Sequence, residues 1–132
     1  MLGRPVRLLG IYHAEGSFIG ELQYLIGKFL GTTSCALCDI SHHSVRQKPA
    51  FSACLQALPL EMKMLHLDEL SADLYQFVQF QTPCVVAQYA SGYHILLPPR
   101  TLQDCQGDVH RFQQLLQEKL SIAKDESNSQ QP

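Results

Sequence analysis

The stretch TPCVVAQYASGYHILLPP, residues 82–99, contains two short apolar runs separated by Ser91 and Gly92. Both runs are rich in branched and aromatic side chains and are bounded by proline, which is typical of β-strands. A two-residue break that includes glycine favours a tight turn between antiparallel strands. The stretch therefore predicts a β-hairpin that begins after Thr82–Pro83.

Two more strands are predicted on the amino-terminal side of this hairpin. The run VRLLGIYH (6–13) is typical of a largely buried strand, and LEMKMLHL (60–67) alternates apolar and charged residues, which favours a strand with one buried face. Apolar residues at helical spacing predict the helices. These lie between Phe18 and Gly31, at 50–58, from Asp68 or Ser71 to Thr82, and after Asp108.

The order of these elements predicts a single α/β domain over residues 1–122. A central mixed sheet of about four strands is expected, flanked by helices, because sheets bury their apolar faces against helices. Residues 32–49 are predicted to be irregular or partly helical. The polar residues 123–132 lack apolar periodicity and are predicted to form an unstructured tail.

Composition argues against two classes of partner. The chain has 132 residues, with 10 Lys plus Arg against 12 Asp plus Glu and a net charge of -2. Without a basic cluster interleaved with aromatic residues, nucleic-acid binding is not expected. The amino terminus lacks the apolar segment of a signal peptide, and no apolar run approaches the roughly 20 residues that a membrane span needs. We therefore expect a cytoplasmic protein that binds neither nucleic acid nor membranes.

Reactive side chains are concentrated in SCALCDISHH, residues 34–43. Cys35 and Cys38 have the C-x-x-C spacing of a redox pair, which needs one thiolate near neutral pH and a second thiol close to it. The adjacent histidines could supply positive charge that favours the thiolate, whereas the carboxylate of Asp39 opposes it. The first hypothesis is therefore thiol–disulfide chemistry without a cofactor.

The same segment also permits a metal site. Cys35, Cys38 and either His42 or His43 would provide three ligands. Zinc favours four such ligands in a tetrahedral arrangement, and two thiolates with an imidazole also suit Cu(I). A fourth ligand would come from one of three other residues: Asp39, Cys84 or His13.

A structural interpretation stays open beside these two. Cys35 would then pack as a small apolar residue, while Leu37 and Ile40 anchor the loop. Outside the segment, most cysteines are expected to be free thiols in a reducing compartment. Cys54 and Cys105 are predicted to be buried core or surface thiols, and Cys84 a core thiol. Ordinary histidines are predicted at His66, His94 and His110, and either a site member or a loop residue at His13.

The order of elements over residues 60–120 resembles a thioredoxin-like domain. In that family a βαβ half is joined through a helix to a ββα half, and a cis-proline opens the second half. The resemblance implies that Pro83 is this cis-proline and flanks the site. Under the redox hypothesis, Cys35 attacks a protein or small thiol or disulfide substrate and Cys38 resolves the mixed disulfide, which is the usual division for a CxxC at the start of a helix. A non-catalytic interaction module on such a scaffold is a further alternative, because a fold does not fix a function.

The position of the cysteines departs from the thioredoxin pattern. Thioredoxins carry the CxxC directly after the first strand, whereas HAEGS (13–17) occupies that place here. The CxxC follows about twenty residues later, behind an extra predicted helix. The site geometry of the family is therefore not carried over to Cys35 and Cys38.

The chain is also similar to a group of small bacterial proteins without an established activity. The shared segments are Tyr-x-Ala-acid-Gly, present as residues 12–16, and Cys-Ala-Leu-Cys-Asp-x-x-His, present as residues 35–42. This second resemblance implies no particular function.

Overall fold

The computed structural model describes residues 4–13, 35–43 and 46–129. Its strands are β1 (Arg7–Ile11), β2 (His42–His43), β3 (Arg46–Gln47), β4 (Met62–Leu65), β5 (Cys84–Tyr89) and β6 (Gly92–Leu97). Its α-helices are α1 (Ala36–Ser41), α2 (Pro49–Ala57), α3 (Ala72–Phe77), α4 (Pro99–Asp104) and α5 (Val109–Ser129), with a 3-10 turn at Leu67–Glu69. The helix predicted between Phe18 and Gly31 lies outside the described residues.

Four strands form the main sheet, in the order β4-β1-β5-β6. Strand β1 pairs in parallel with β4 and antiparallel with β5, and β5 pairs antiparallel with β6. Ile11 at the end of β1 therefore lies opposite both Leu65 of β4 and Cys84 of β5. The prediction of a mixed four-stranded sheet flanked by helices is confirmed.

The hairpin predicted from residues 82–99 is present, with a small difference at its turn. Tyr89 pairs with Gly92, so the two connecting residues are Ala90 and Ser91. The prediction places Gly92 in the turn, whereas Gly92 begins β6 in the structure. Before the hairpin, the peptide bond between Thr82 and Pro83 is cis.

The sheet separates two hydrophobic layers. One layer contains Leu8, Tyr12, Cys35 and the side chains of α2, α4 and α5 that face the sheet, among them Phe112. The other contains Ile11, Leu65 and Cys84, covered by α3. Side chains alternate between the faces of a strand, which explains why neighbouring residues of β1 and β5 enter different layers. Gly10, in the middle of β1, leaves room for the ends of Met62 and Met64.

Three helix ends follow the predicted signals. Pro49 begins α2, and Ser71 caps α3 by accepting a hydrogen bond from the N–H of Leu74 at 3.4 Å. Asp108 caps α5, since its Oδ1 accepts from the N–H of His110 at 2.9 Å. The helix α5 continues to Ser129, past residue 122, where the prediction ends it. Residues 123–129 contain neither Gly nor Pro, so nothing in the sequence stops the helix there.

Residues 35–43 are more regular than the sequence suggests. Leu37 and Ile40 are both fully buried, and their spacing of three residues fits one face of a helical turn. This burial gives α1 a place in the core although the helix is short. Within the described parts of the chain, no helix has the length and apolar character that crossing a membrane requires.

Candidate functional site

The two cysteines of the CxxC lie at the start of α1. Cys35 is the residue before the helix, in an extended conformation, and its Sγ accepts a hydrogen bond from the N–H of Cys38 at 3.4 Å. The two Cα atoms are 5.2 Å apart, and the two Sγ atoms lie at disulfide-bonding distance. One helical turn thus brings both sulfur atoms together, and the three other cysteines are free and buried.

The two sulfur-bearing residues differ in their access to solvent. Cys35 is 7% exposed and packs into the same layer as Leu8 and Tyr12. Cys38 is partly exposed and packs against the edge of this layer. The pair is therefore open to solvent on the Cys38 side.

Asp39 lies on the outer side of α1, next to the pair. Its side chain is exposed, yet neighbouring atoms desolvate the carboxyl group in part, which raises the pKa of Asp39, while the positive charge of Lys48 opposes the rise. Lys48 donates a hydrogen bond from Nζ to the carbonyl oxygen of Gly107 at 2.7 Å. Gly107 has a φ of +77°, and a Cβ at this position would lie 3.5 Å from the carbonyl oxygen of Asp39. Lys48 and the loop that contains Gly107, between α4 and α5, thus lie against the outer side of α1.

The last residue of α1 connects the helix to the end of β1. The hydroxyl of Tyr12 and the hydroxyl of Ser41 are 2.9 Å apart, and both residues are buried. The Ser41 Oγ is also 2.6 Å from the Nδ1 of His42. Because the ring of His42 is partly buried and close to the positive charge of His66, its pKa is lowered.

A histidine and a glutamate extend this hydrogen-bonded cluster. The ring of His66 stacks on Tyr12 with ring centres 5.1 Å apart. Its Nδ1 lies 2.5 Å from the Oε1 of Glu69, which also accepts a hydrogen bond from the His66 backbone N–H. These bonds, the backbone one foremost, lower the pKa of Glu69. The group of Tyr12, Ser41, His42, His66 and Glu69 is named here the tyrosine cluster.

His13 contacts the residue before Pro83 at this end of the sheet. The Nδ1 of His13 is 2.8 Å from the Oγ1 of Thr82, the residue before Pro83. A cavity of about 420 Å³ opens beside this contact, with the aromatic residues Tyr75 and Phe80 on its wall. Phe80 is 95% exposed and has a φ of +66°, which is unusual for a residue with a bulky side chain.

The structure groups some of the predicted site residues and separates others. Cys35, Cys38 and His42 share α1 and its end, and Tyr12 and His13 connect this end to Thr82 across the end of β1. Cys84 enters the opposite layer of the sheet, as expected for a core thiol. Over the parts of the chain that the structure describes, no three His, Cys, Asp or Glu side chains form a group that could hold a metal ion. The position of the His43 side chain is not among the described features, so its role stays a prediction.

The sequence did not single out Tyr12, Ser41 and His66 as members of a cluster. Tyr12 directly follows a strand that pairs in parallel, and strand ends of this kind are where sites collect. That position, next to His13, was the available signal. His66 directly follows β4, the parallel partner of β1, so it had the same signal. Ser41 carries no comparable signal, because its contact with Tyr12 is made across the fold.

Comparison with family models, with curated proteins and with solved structures finds no match for this chain.

Proposed function

We propose that this protein exchanges thiols and disulfides through Cys35 and Cys38 on a thioredoxin-like scaffold. The observation that carries the proposal is the proximity of the two sulfur atoms at the start of α1, with Cys38 accessible from solvent. Exchange requires a thiolate or disulfide sulfur that an external sulfur atom can approach. A pair buried on both sides would not meet this requirement.

The topology of the sheet supports the scaffold part of the proposal. The parallel pair β1 and β4 corresponds to a βαβ half, and the hairpin β5–β6 followed by helices corresponds to a ββα half. Thr82 and Pro83 stand between these halves, directly before β5, which is the position that the resemblance implies for the proline. Pro83 would then flank the side of the sheet on which the substrate approaches.

The contacts of α1 support a link between the cysteines and this end of the sheet. The Tyr12–Ser41 contact holds the end of α1 at the end of β1, and the His13–Thr82 contact holds Pro83 near the same strand end. A CxxC that follows the first strand at a distance could thus still work at the edge marked by Pro83. The proposed substrate is a thiol or a disulfide, in a protein or in a small molecule.

The test is a redox titration of the purified protein in glutathione buffers. Free thiols are trapped with acid and a maleimide, and the disulfide fraction is read by mass spectrometry. Wild-type protein is expected to show a single reversible two-thiol transition that Cys35→Ser removes. Cys54→Ala is the matched control, because it removes a buried thiol and leaves the pair intact.

The alternatives predict other results. Zinc or copper held by Cys35, Cys38 and His42 or His43 would give about one equivalent of metal in elemental analysis of the reduced protein. A non-catalytic module would show no reversible transition and only a lower thermal stability in Cys35→Ser. Either result would contradict the exchange function.

A further inference from the structure

The two cysteines differ in solvent exposure, and this difference affects which sulfur atom an external thiolate attacks. Cys35 is 7% exposed and faces the core, whereas Cys38 is partly exposed. An external thiolate must approach a disulfide along the line of the two sulfur atoms, so access decides which sulfur is attacked. The sequence pattern alone gave Cys35 the role of the attacking residue, and the burial of Cys35 argues against this role.

The hydrogen bond within the pair favours Cys35 as the leaving group. The N–H of Cys38 points to the Sγ of Cys35 at 3.4 Å. A hydrogen bond to a charged sulfur stabilises the thiolate relative to the thiol, and a more stable thiolate leaves faster. The N–H is already in place in the disulfide form, so no rearrangement of α1 is needed when the bond breaks.

The charge next to Cys38 acts in the same direction. Asp39 follows Cys38 in the chain, and its carboxylate disfavours a second negative charge on its neighbour. Cys38 is therefore a poor leaving group and the better target, because the departing charge collects on Cys35 instead.

Resting on the exchange function proposed above, we propose that Cys38 forms the mixed disulfide with the substrate and that Cys35 is the leaving thiolate. In the first step a substrate thiolate attacks Cys38 Sγ, a new bond forms between these two sulfur atoms, and the bond to Cys35 breaks. The electron pair of the broken bond stays on Cys35. In the second step another thiolate of the substrate attacks the substrate sulfur of the mixed disulfide and releases Cys38. The substrate dithiol is oxidised to a disulfide, and the pair is reduced to two thiols.

The substrate class follows from this balance of electrons. The protein accepts two electrons, and the donor must supply two thiolates, the first of which attacks Cys38, a partly exposed residue of α1. A peptide or protein dithiol on an accessible loop meets both conditions. A monothiol such as glutathione can carry out the first step and therefore serves as a probe of it.

The experiment uses oxidised wild-type protein and reduced glutathione at about pH 8, where glutathione supplies a useful fraction of thiolate. Samples are quenched with acid at early times, and the released thiol is labelled with a maleimide. Fragmentation of the peptide that contains both cysteines then shows which one carries glutathione. We expect about tenfold more glutathione on Cys38 than on Cys35, with the maleimide on Cys35.

The outcomes separate this inference from the exchange function on which it rests. Glutathione mainly on Cys35, or equally on both cysteines, overturns the assignment and leaves the exchange function standing. Failure of glutathione to react with either cysteine, together with no reversible transition in the redox titration, removes the exchange function itself.

A substitution tests the role of Asp39 without changing a sulfur atom. Asp39→Asn is expected to lower the preference for Cys38 by about threefold, because the loss of the charge makes Cys38 a better leaving group. Glu118→Gln, which removes an exposed carboxylate on α5, is the matched control and should leave the preference unchanged. An unchanged preference in Asp39→Asn contradicts the electrostatic part of the inference.

Discussion

The hydroxyl group of Tyr12 lies 2.9 Å from that of Ser41, and this contact joins the end of β1 to the end of α1, the helix that begins after Cys35 and contains Cys38. Both residues are buried, so the contact is shielded from water. Ser41 has a second partner in the Nδ1 of His42. The position of α1 therefore depends on three hydrogen-bonded polar side chains, Tyr12, Ser41 and His42, next to an otherwise apolar layer.

We expect Tyr12→Phe to lower the free energy of unfolding by about 1 kcal/mol, the usual net value of a buried hydrogen bond whose other partner keeps a second bond. The ring remains, so its packing against His66 is preserved. Urea denaturation measures the change. Tyr93→Phe is the matched control, because the hydroxyl of Tyr93 donates to Asp73 at 3.2 Å in an exposed place. It should cost about 0.5 kcal/mol or less, and an equal loss in the two variants would contradict the importance of the Tyr12–Ser41 contact.

The lowered pKa of His42 predicts a loss of stability in mildly acidic solution. Below about pH 6.5 the unfolded chain binds a proton on this ring, whereas the folded protein resists it until its own lower pKa is reached. The contribution of His42 is therefore fully present above about pH 7 and decreases as the pH falls below 6.5. Urea denaturation at about pH 7.5 and 5.5 measures it.

A pair of histidine variants assigns this pH dependence to one residue. His42→Gln should reduce the difference between the two pH values, since glutamine cannot titrate. His94→Gln, which replaces an exposed histidine on β6, should leave the difference as it is in the wild type. The same difference in stability between the two pH values in all three proteins would show that His42 does not cause the pH dependence.

Cys84 is predicted to be unreactive in the folded protein. Burial raises the pKa of its thiol to about 12, so at about pH 8 almost no thiolate is present. Iodoacetamide should alkylate Cys38 of the reduced protein at least about a hundredfold faster than Cys84. Peptide mass spectrometry over time gives both rates from one sample. In urea above the unfolding midpoint the two rates should become similar, and comparable rates in the native protein would disprove the burial of Cys84.

Phe80 offers a test of backbone strain next to the cavity. Its φ of +66° suits glycine better than a residue with a Cβ, and its side chain is 95% exposed, so little burial is lost on removal. We expect Phe80→Gly to raise the free energy of unfolding by about 1 kcal/mol. Phe80→Ala removes the ring and keeps the strained backbone, so its stability should stay close to that of the wild type. A gain in Phe80→Ala equal to that in Phe80→Gly would mean that the ring, and not the backbone, is responsible.

Elements with a periodic apolar pattern could be predicted from the sequence. The hairpin formed by β5 and β6 was visible because proline, branched residues and a glycine-containing break lie close together in the chain. The helices α2 and α5 were visible because apolar residues recur at helical spacing after Pro49 and Asp108. Each of these signals is local, so a single sequence contains them in full.

The helix α1 could not be predicted in the same way. Its six residues include only Leu37 and Ile40 as large buried side chains, which is too few for a periodic pattern. Such a short helix is stabilised by burial against the sheet, and this burial cannot be seen from the local sequence. The tyrosine cluster was missed for a similar reason, since Tyr12, Ser41 and His66 are far apart in the chain and meet only in the folded protein.

Cys84 lies on the opposite side of the sheet from Cys35 and Cys38, so Cys84 and the pair react under different conditions. In the folded protein, the pair is oxidised or reduced according to the thiols and disulfides in solution. Cys84 can be linked or modified only after the sheet has come apart. Because Cys84 is fully buried among close-packed side chains, a group added to its sulfur hinders the return to the packed sheet, so one unfolding event followed by modification removes the molecule from the folded population.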